Sequence, residues 1–359
     1  YMNANKAIDV LNDPFSNKWW QEADKPWQAL AWCKEWAEYN IARANGESYE
    51  TRLPCASDGS CNGLQHLSAM LRDLEGGKAV NLTPSDEPQD IYADVAKRAT
   101  ELLEEDGSEM AMHLLNIGIC RKLTKRSVMI VPYSGTRHAC RDYIMEALED
   151  KCTGNNPWGD DFFEASMVLS GFVWQAIGDV IVSAFSAMQY IKDVAKLYVD
   201  NGIPFTWTTP TNLIVRQFYT DRKSKRIKTH IAGSLVALRY YEDMGDKIDS
   251  RKTLSGASPN FVHSLDAAAL TMTVHECLKD GILDYAMVHD SYGTHSPNMP
   301  RLNQRLREAF VVMYQEHDVL LNLYEDAVVS LPEGTLVPAP PSKGDLDLTQ
   351  VLQSDYFFA

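Results

Sequence analysis

Arg121-Lys122-Leu123-Thr124-Lys125-Arg126-Ser127-Val128-Met129-Ile130-Val131-Pro132-Tyr133-Ser134 is the stretch around which the rest of this chain can be read. Arg121, Lys125 and Met129 recur at a spacing of four, so on an α-helix they form one slowly drifting stripe, with Tyr133 next in line. Two cations, a thioether and a phenol then face one way. Such a stripe suits a polyanion at one end and a flat sugar and base at the other. Pro132 fixes its own φ, lacks an amide donor and disfavours helical geometry at Val131, so the helix is expected to end there with Tyr133 on its broken end. Taken alone, a basic amphipathic helix is most often a solvated face, and only its neighbours in sequence can decide otherwise.

The chain has 359 residues, enough for two or three subdomains. Its 45% hydrophobic and 23% charged content is ordinary for a globular protein. The most apolar run, Ala165 to Met188, is interrupted by Gln175 and Asp179 and reads as a buried helix, so no membrane span is expected. There is no signal-peptide pattern, and the opening Tyr1 leads straight into mid-domain sequence, so the natural N-terminus is expected further upstream. Seven cysteines without a C-x-x-C pair argue against a zinc site or a disulfide framework and fit a reducing compartment.

The formal charge of −15 argues at face value against a nucleic-acid partner. Its distribution says more. Arg121 to Arg141 holds six Arg or Lys and no acid, and Arg216 to Lys228 holds six against one Asp, while nine acids gather between Asp86 and Glu109. Charges are screened beyond roughly 8 to 10 Å at physiological salt, so basic patches on an acidic body can still bind a phosphate backbone.

Residues 1 to 50 are helical in period and rich in aromatics, and Trp32 and Trp36 with Leu30 predict a helix face packed into a core. Leu53 to His66 reads as a strand, a tight turn at Asp58-Gly59 and a helix through Leu67, Met70 and Leu71. Asp58 at the strand end suits either a hard cation or a local Asx turn. Thr83-Pro84-Ser85-Asp86 signals a helix start, continued by Ile91, Tyr92, Val95 and Leu102. A turn and helix follow over 110 to 133, then further helices from 141 to 200 around a loop at Thr153-Gly154-Asn155-Asn156-Pro157. From Pro204 to Ile231 the pattern turns to β, and Thr220 to Lys225 predicts a hairpin with a basic tip, either solvated or touching phosphate. Ser258-Pro259 starts another helix, in which His263 alone reads as a core or cap histidine. Ile282 to Thr294 is an apolar strand ending in His289-Asp290 and turning back at Gly293, a hairpin that lifts a carboxylate onto its bend. The tail, from about 314, carries Pro338-Ala339-Pro340-Pro341 and ends in Tyr356-Phe357-Phe358-Ala359.

A carboxylate at a strand end, a carboxylate on a hairpin bend and the Arg121–Tyr133 helix between them resemble the C-terminal catalytic half of the single-subunit, bacteriophage-type RNA polymerases, a family that includes the mitochondrial enzyme. Its motif A is similar to Asp58-Gly59-Ser60-Cys61-Asn62-Gly63-Leu64-Gln65-His66. Motif B is similar to Arg121-x-x-x-Lys125-Arg126-Ser127-Val128-Met129 ending in Tyr133, and motif C to His289-Asp290-Ser291-Tyr292-Gly293-Thr294. Similarity continues through Gly76 to Leu82, Pro259 to Ser264 and Ser354 to Ala359, so it spans nearly the whole chain.

The resemblance implies an α+β, mostly helical fold of right-hand polymerase architecture, with an antiparallel palm sheet and a helical fingers subdomain. It assigns 1-86 to the first part of the palm, 87-263 to the fingers with a promoter-reading hairpin near 205-250, 264-313 to the returning palm and 314-359 to a C-terminal foot. It implies two Mg²⁺ ions roughly 3.5 to 4 Å apart on Asp58, Asp290 and the Gly59 carbonyl, serving transfer of ribonucleotides to an RNA 3′-hydroxyl. Arg121 and Lys125 would grip the triphosphate, with Lys125 as general acid for pyrophosphate. Tyr133 would select the ribose with His263 and Tyr92 close by, and His289 would steady Asp290. Arg216, Arg222, Lys223, Lys225 and Arg226 would meet DNA. The implied partners are double-stranded promoter and template DNA, nascent RNA, ribonucleoside triphosphates and an N-terminal domain and thumb outside this chain, in a monomeric enzyme. The implied setting is the cytoplasm of an infected bacterium, or alternatively a mitochondrion.

Two rivals are a family A DNA polymerase-like enzyme and a nucleic-acid-binding remnant inactive without its N-terminal domain. Related DNA polymerases usually carry Glu where this chain has Ser60 and an aromatic where it has Met129, which favours RNA synthesis. Retention of Asp58, Arg121, Lys125, Tyr133 and Asp290 argues against a silent remnant. The chain departs from the family at Pro132, at Ser134, where glycine is usual, and in a shorter Glu101–Ile117 segment. Ribose selection and motion at the helix end are the properties these departures touch.

Overall fold

The computed structural model describes residues 4–152, 158 and 162–358; the expected loop Thr153–Pro157 and the terminal Ala359 lie outside them. The helices are α1 Ala4–Asn12, α2 Pro26–Asn45, α3 Asn62–Leu71, α4 Leu74–Ala79, α5 Ile91–Asp106, α6 Glu109–Ile117, α7 Arg121–Met129, α8 Arg137–Lys151, α9 Phe163–Val180, α10 Val182–Asp200, α11 Ser250–Lys279, α12 Met299–Glu316 and α13 Val319–Ser330. The strands are β1 Cys55–Asp58, β2 Phe205–Thr208, β3 Ile214–Gln217, β4 Thr220–Ile231, β5 Ser234–Ile248, β6 Ala286–Val288 and β7 Ser291–Thr294. The fold is thus mostly helical with small sheets, an α+β protein. It divides into two units, Tyr1–Ala56 with Leu283–Val288 and Tyr292–Pro300, and Ser57–Ile282 with His289–Ser291 and Arg301–Ala359.

In the first unit α1 packs on α2 through Val10 and Cys33, with Trp20 buried beside them and Leu30 partly buried. Trp32 and Trp36, expected in the core, are instead 54% and 37% exposed. The buried stripe runs through Leu30, Cys33 and Ala37, and one residue along a helix turns the side chain by about 100°, which carries both indoles off that stripe. The β6–β7 hairpin turns at His289-Asp290, whereas Gly293 lies inside the returning strand. Its missing side chain allows the strands to approach, because a Cβ there would lie 2.6 Å from the Ala286 carbonyl oxygen.

In the second unit every residue of α3 is buried, including Asn62, Gln65 and His66. Helix α5 begins at Ile91, later than Thr83-Pro84 suggested, because Asn81 exchanges hydrogen bonds with the backbone of Gln89 (2.8 and 3.0 Å) and closes the intervening loop. Asp90 then caps the helix by accepting from Tyr92 N–H at 3.0 Å. The single buried helix expected over Ala165–Met188 is two, α9 and α10, meeting at 91° around Ile181. Among the described residues no single helix is long and apolar enough to cross a membrane. Helix α11 starts at Ser250 under an Asp249 cap, eight residues before the expected Ser258, and carries Pro259 inside it. The strand β2 anchors on it, since Trp207 is buried and its indole N–H donates to Ser264 Oγ at 2.9 Å.

The predicted basic hairpin exists as β4–β5, but its tip is the neutral pair Ala232-Gly233, both at positive φ (50° and 81°), as a two-residue turn requires. Arg222 to Arg226 therefore lie along β4 rather than at the tip. There Arg222 pairs with Asp243 (2.8 Å) and Lys225 with Glu242 (2.5 Å) across the ladder.

Replacing Gly293 by Ala should force β6 and β7 apart and destabilise the chain by about 1–3 kcal/mol in denaturant unfolding; unchanged stability would show that the hairpin relaxes freely.

Candidate active site

Asp58 closes β1 and Asp290 sits on the β6–β7 bend, and the two turns are joined by the Gly59 N–H, which donates to the Asp290 carbonyl at 3.3 Å. A side chain at Gly59 would meet Gln65 Oε1 at 3.1 Å, so glycine keeps this junction tight. Both carboxylate residues line a cavity of ≈ 160 Å³ that Arg121, Lys125, Met129 and Tyr133 also line. The stripe expected from the four-residue spacing therefore faces one space. A second cavity of ≈ 320 Å³ shares Ser60, Cys61, Tyr92 and Arg121 with the first and continues toward Asp90 and Tyr356.

Helix α7 is held by burial of Leu123 and Val128 and by Thr124, whose hydroxyl donates to the Tyr92 carbonyl at 2.7 Å. It ends as the proline predicted. Met129 is the last residue of α7 and Ile130 caps it, Val131–Tyr133 forms a 3₁₀ turn, and Ser134 adopts a left-handed backbone at φ 57°. Pro132 is buried over Gly63, where a Cβ would clash with its ring at 2.8 Å and approach the Tyr133 hydroxyl at 3.1 Å. The Tyr133 ring stacks on His263, with centroids 4.6 Å apart and planes 9° from parallel. Burial, and then the carboxylates of Asp290 and Asp266, push the Tyr133 phenol well above its ordinary value, so it stays a protonated donor. Burial does the same to Tyr92.

The two cations of the stripe differ. Arg121 forms an ion pair with Asp90 and lies 5.1 Å from the centroid of the Tyr92 ring. Lys125 is 6.0 Å from that centroid and, among the described residues, makes no ion pair. His289 is exposed on the bend at φ 54°, a left-handed position for a residue other than glycine. None of Arg216, Arg222, Lys223, Lys225 or Arg226 lines either cavity. The oxygen donors at hand, Asp58, Asp290 and the Gly59 carbonyl, fit a hard cation such as Mg²⁺ in kind.

Several residues here were visible to sequence reading only as parts of a motif. Gln65 is fully buried, and its amide nitrogen lies within hydrogen-bonding distance of Ser60 Oγ, the Val80 carbonyl and the Phe357 carbonyl (3.0, 3.0 and 2.9 Å). His66, also buried, is 2.6 Å from the Tyr314 hydroxyl through Nδ1. Nothing in a one-dimensional pattern distinguishes such inward polar residues from a solvated face.

Carboxylates, cations and aromatic side chains thus share the lining of one small cavity. A family model described as DNA-dependent RNA polymerase matches residues 2–337. The DNA-directed RNA polymerase of Enterobacteria phage K11 is 34% identical over 405 residues, covering 99% of this chain and 44% of its own length. T7 RNA polymerase of Escherichia phage T7 is 33% identical, covering 99% and 45%. DNA-directed RNA polymerase 1, mitochondrial, of Nicotiana sylvestris is 34% identical, covering 98% and 35%. The chain belongs to the phage-type DNA-dependent RNA polymerase family, and it spans less than half the length of these relatives.

Ser134→Gly should stabilise the chain by about 1 kcal/mol, the usual cost of a left-handed backbone outside glycine; no gain in thermal midpoint would mean that the turn carries no such strain. Burial pushes His66 down to about 3 from 6.5. A histidine held neutral in the fold stabilises it above its unfolded value, and that contribution is lost as pH falls from 6.5 toward 3. Between pH 6.5 and 5 the thermal midpoint of the wild type should therefore fall more steeply than that of His66→Gln, and parallel curves would contradict a neutral His66.

Proposed function

We propose that this chain is the catalytic portion of a DNA-directed RNA polymerase, adding ribonucleotides to an RNA 3′-hydroxyl on a DNA template. The observation that carries this reading is that the joined Asp58 and Asp290 turns and the Arg121–Lys125–Tyr133 stripe line one cavity. Asp58, Asp290 and the Gly59 carbonyl would hold two Mg²⁺ ions, which supply activation of the hydroxyl and neutralisation of triphosphate charge. Lys125, without an ionic partner among the described residues, takes the phosphates and donates the proton that pyrophosphate needs on leaving. Arg121 joins it by exchanging Asp90 for phosphate oxygen. Tyr133, kept protonated and stacked on His263, presents its hydroxyl to the ribose, with Tyr92 forming the wall beside it. His289 borders the Asp290 bend and steadies it.

On this reading residues 1-86 and 264-313 form the palm, 87-263 the fingers and 314-359 the foot. The β4–β5 hairpin meets promoter DNA, with Lys223 and Arg226 exposed for phosphate, Arg222 and Lys225 available once DNA displaces Asp243 and Glu242, and Arg216 at the neighbouring strand. The N-terminal region and thumb of the longer relatives complete a monomeric enzyme. We assign it to the cytoplasm of an infected bacterium, with a mitochondrion as the alternative.

The test is primed extension with ribo- and deoxynucleotides, on this chain alone and joined to the region that precedes the matched segment in its relatives. Asp58→Asn and Asp290→Asn should each reduce Mg²⁺-dependent addition to background, and wild-type rates in either would overturn the assignment. Tyr133→Phe should lower the preference for ribo- over deoxynucleotides by about tenfold, the worth of one good hydrogen bond, while ribonucleotide addition persists.

A further inference from the structure

We infer that Asn62 is a specificity-determining residue that accepts a hydrogen bond from the ribose 2′-hydroxyl, and that the buried Asp266 positions it; the inference rests on the nucleotide reading above. Asn62 opens α3, is 8% exposed, and lines the same cavity as Tyr133 and Asp290. Its Nδ2 donates to Asp266 Oδ1 at 2.9 Å. A carboxylate only accepts, so the opposite amide orientation would set Asn62 Oδ1 against an anionic oxygen. The nitrogen is thereby committed to the core, and the carbonyl oxygen is the end left to serve the cavity.

Asp266 is suited to hold that orientation. It projects from α11 and is 6% exposed, and His66 Nε2 stands 3.9 Å from the same Oδ1. That separation is too long for a hydrogen bond, and burial keeps His66 neutral, so among the described residues Asn62 is the hydrogen-bond partner of this carboxylate oxygen. His66 is in turn fixed through Nδ1 to Tyr314 on α12. The ionisable groups facing Asp266 are Asp290, His263 and His289, together with the Tyr133 and Tyr314 phenols. The orientation at the cavity wall is therefore set by the Asp266–Asn62 bond, while Tyr314 fixes the His66 ring beside it.

The chemistry of the recognised group follows from the acceptor. Phosphate oxygens cannot donate to Oδ1 and a ring face has nothing to offer it, whereas a sugar hydroxyl can. The neighbouring Tyr133 hydroxyl lies close over Gly63, the next residue of α3, so an amide acceptor and a phenol donor stand side by side for one hydroxyl-bearing edge.

Equilibrium binding of ATP, UTP and 2′-deoxy-ATP with Mg²⁺ to the wild-type chain, Asn62→Ala and Asp266→Asn tests this, with thermal melting to verify folding. The wild type should prefer ATP over 2′-deoxy-ATP, and the preference should fall about 5- to 10-fold in Asn62→Ala while 2′-deoxy-ATP affinity holds. Asp266→Asn should lose the preference in the same direction by freeing the amide. ATP and UTP should lose equally, since the sugar and not the base is read. A discrimination ratio unchanged in folded Asn62→Ala, or a loss confined to one base, overturns the inference alone. Failure of the wild type to bind any triphosphate would instead overturn the nucleotide reading and this inference with it.

Discussion

The architecture turns on α3, a helix buried on every side that nevertheless carries Asn62, Gln65 and His66. A polar group taken from water without a partner costs about 1–3 kcal/mol, so a helix of this kind depends on the partners its surroundings supply, although Gln65 Oε1 is left without one. Two amide hydrogens of Gln65 are shared among Ser60 Oγ and the carbonyls of Val80 and Phe357. Asn62 is met by Asp266 and His66 by Tyr314. Rotating α3 by one residue would orphan all of them at once, which keeps its N-terminal turn, and with it Asp58 and Gly59, in one position.

That constraint explains why the far end of the chain is built into the start of the site. The Ser60 N–H donates to the Phe357 carbonyl at 3.4 Å, Gly59 bridges Phe358, and Ser354 Oγ donates to the Asn81 carbonyl at 2.7 Å. Arg307 donates to the Ser354 carbonyl from α12. Phe357 and Phe358 are buried, so the aromatic terminus is a wall of the core that supports motif A.

Charge is arranged with the same economy. The chain is acidic, yet the cations of α7 that point away from the cavity are matched locally, Lys122 by Asp150 (3.5 Å) and Arg126 by Glu146. Exposed pairs of this kind contribute little to stability, at most about 1 kcal/mol each. Their effect is on potential: they quench basic charge on the outer faces and leave Lys125 as the cation of the stripe that has no ionic partner among the described residues.

Local rules made much of this legible. The spacing of Arg121, Lys125, Met129 and Tyr133, the break at Pro132, the strand-end Asp58 and the hairpin-borne Asp290 all follow from periodicities and turn chemistry that act within a few residues. What the sequence could not decide depended on partners distant in the chain. Trp32 and Trp36 looked like core, but the neighbour of α2 is α1, and the two meet on a narrower stripe through Cys33. Ser258-Pro259 looked like a helix start because proline is favoured in a first turn, but the Asp249 cap carries α11 through it. The cations of β4 looked like a tip because the acids of β5 that pair with them come later in the chain. Above all, Asn62 and Asp266 are 204 residues apart, and their hydrogen bond exists only because the tertiary fold brings α3 and α11 together in a core where neither group can turn to water.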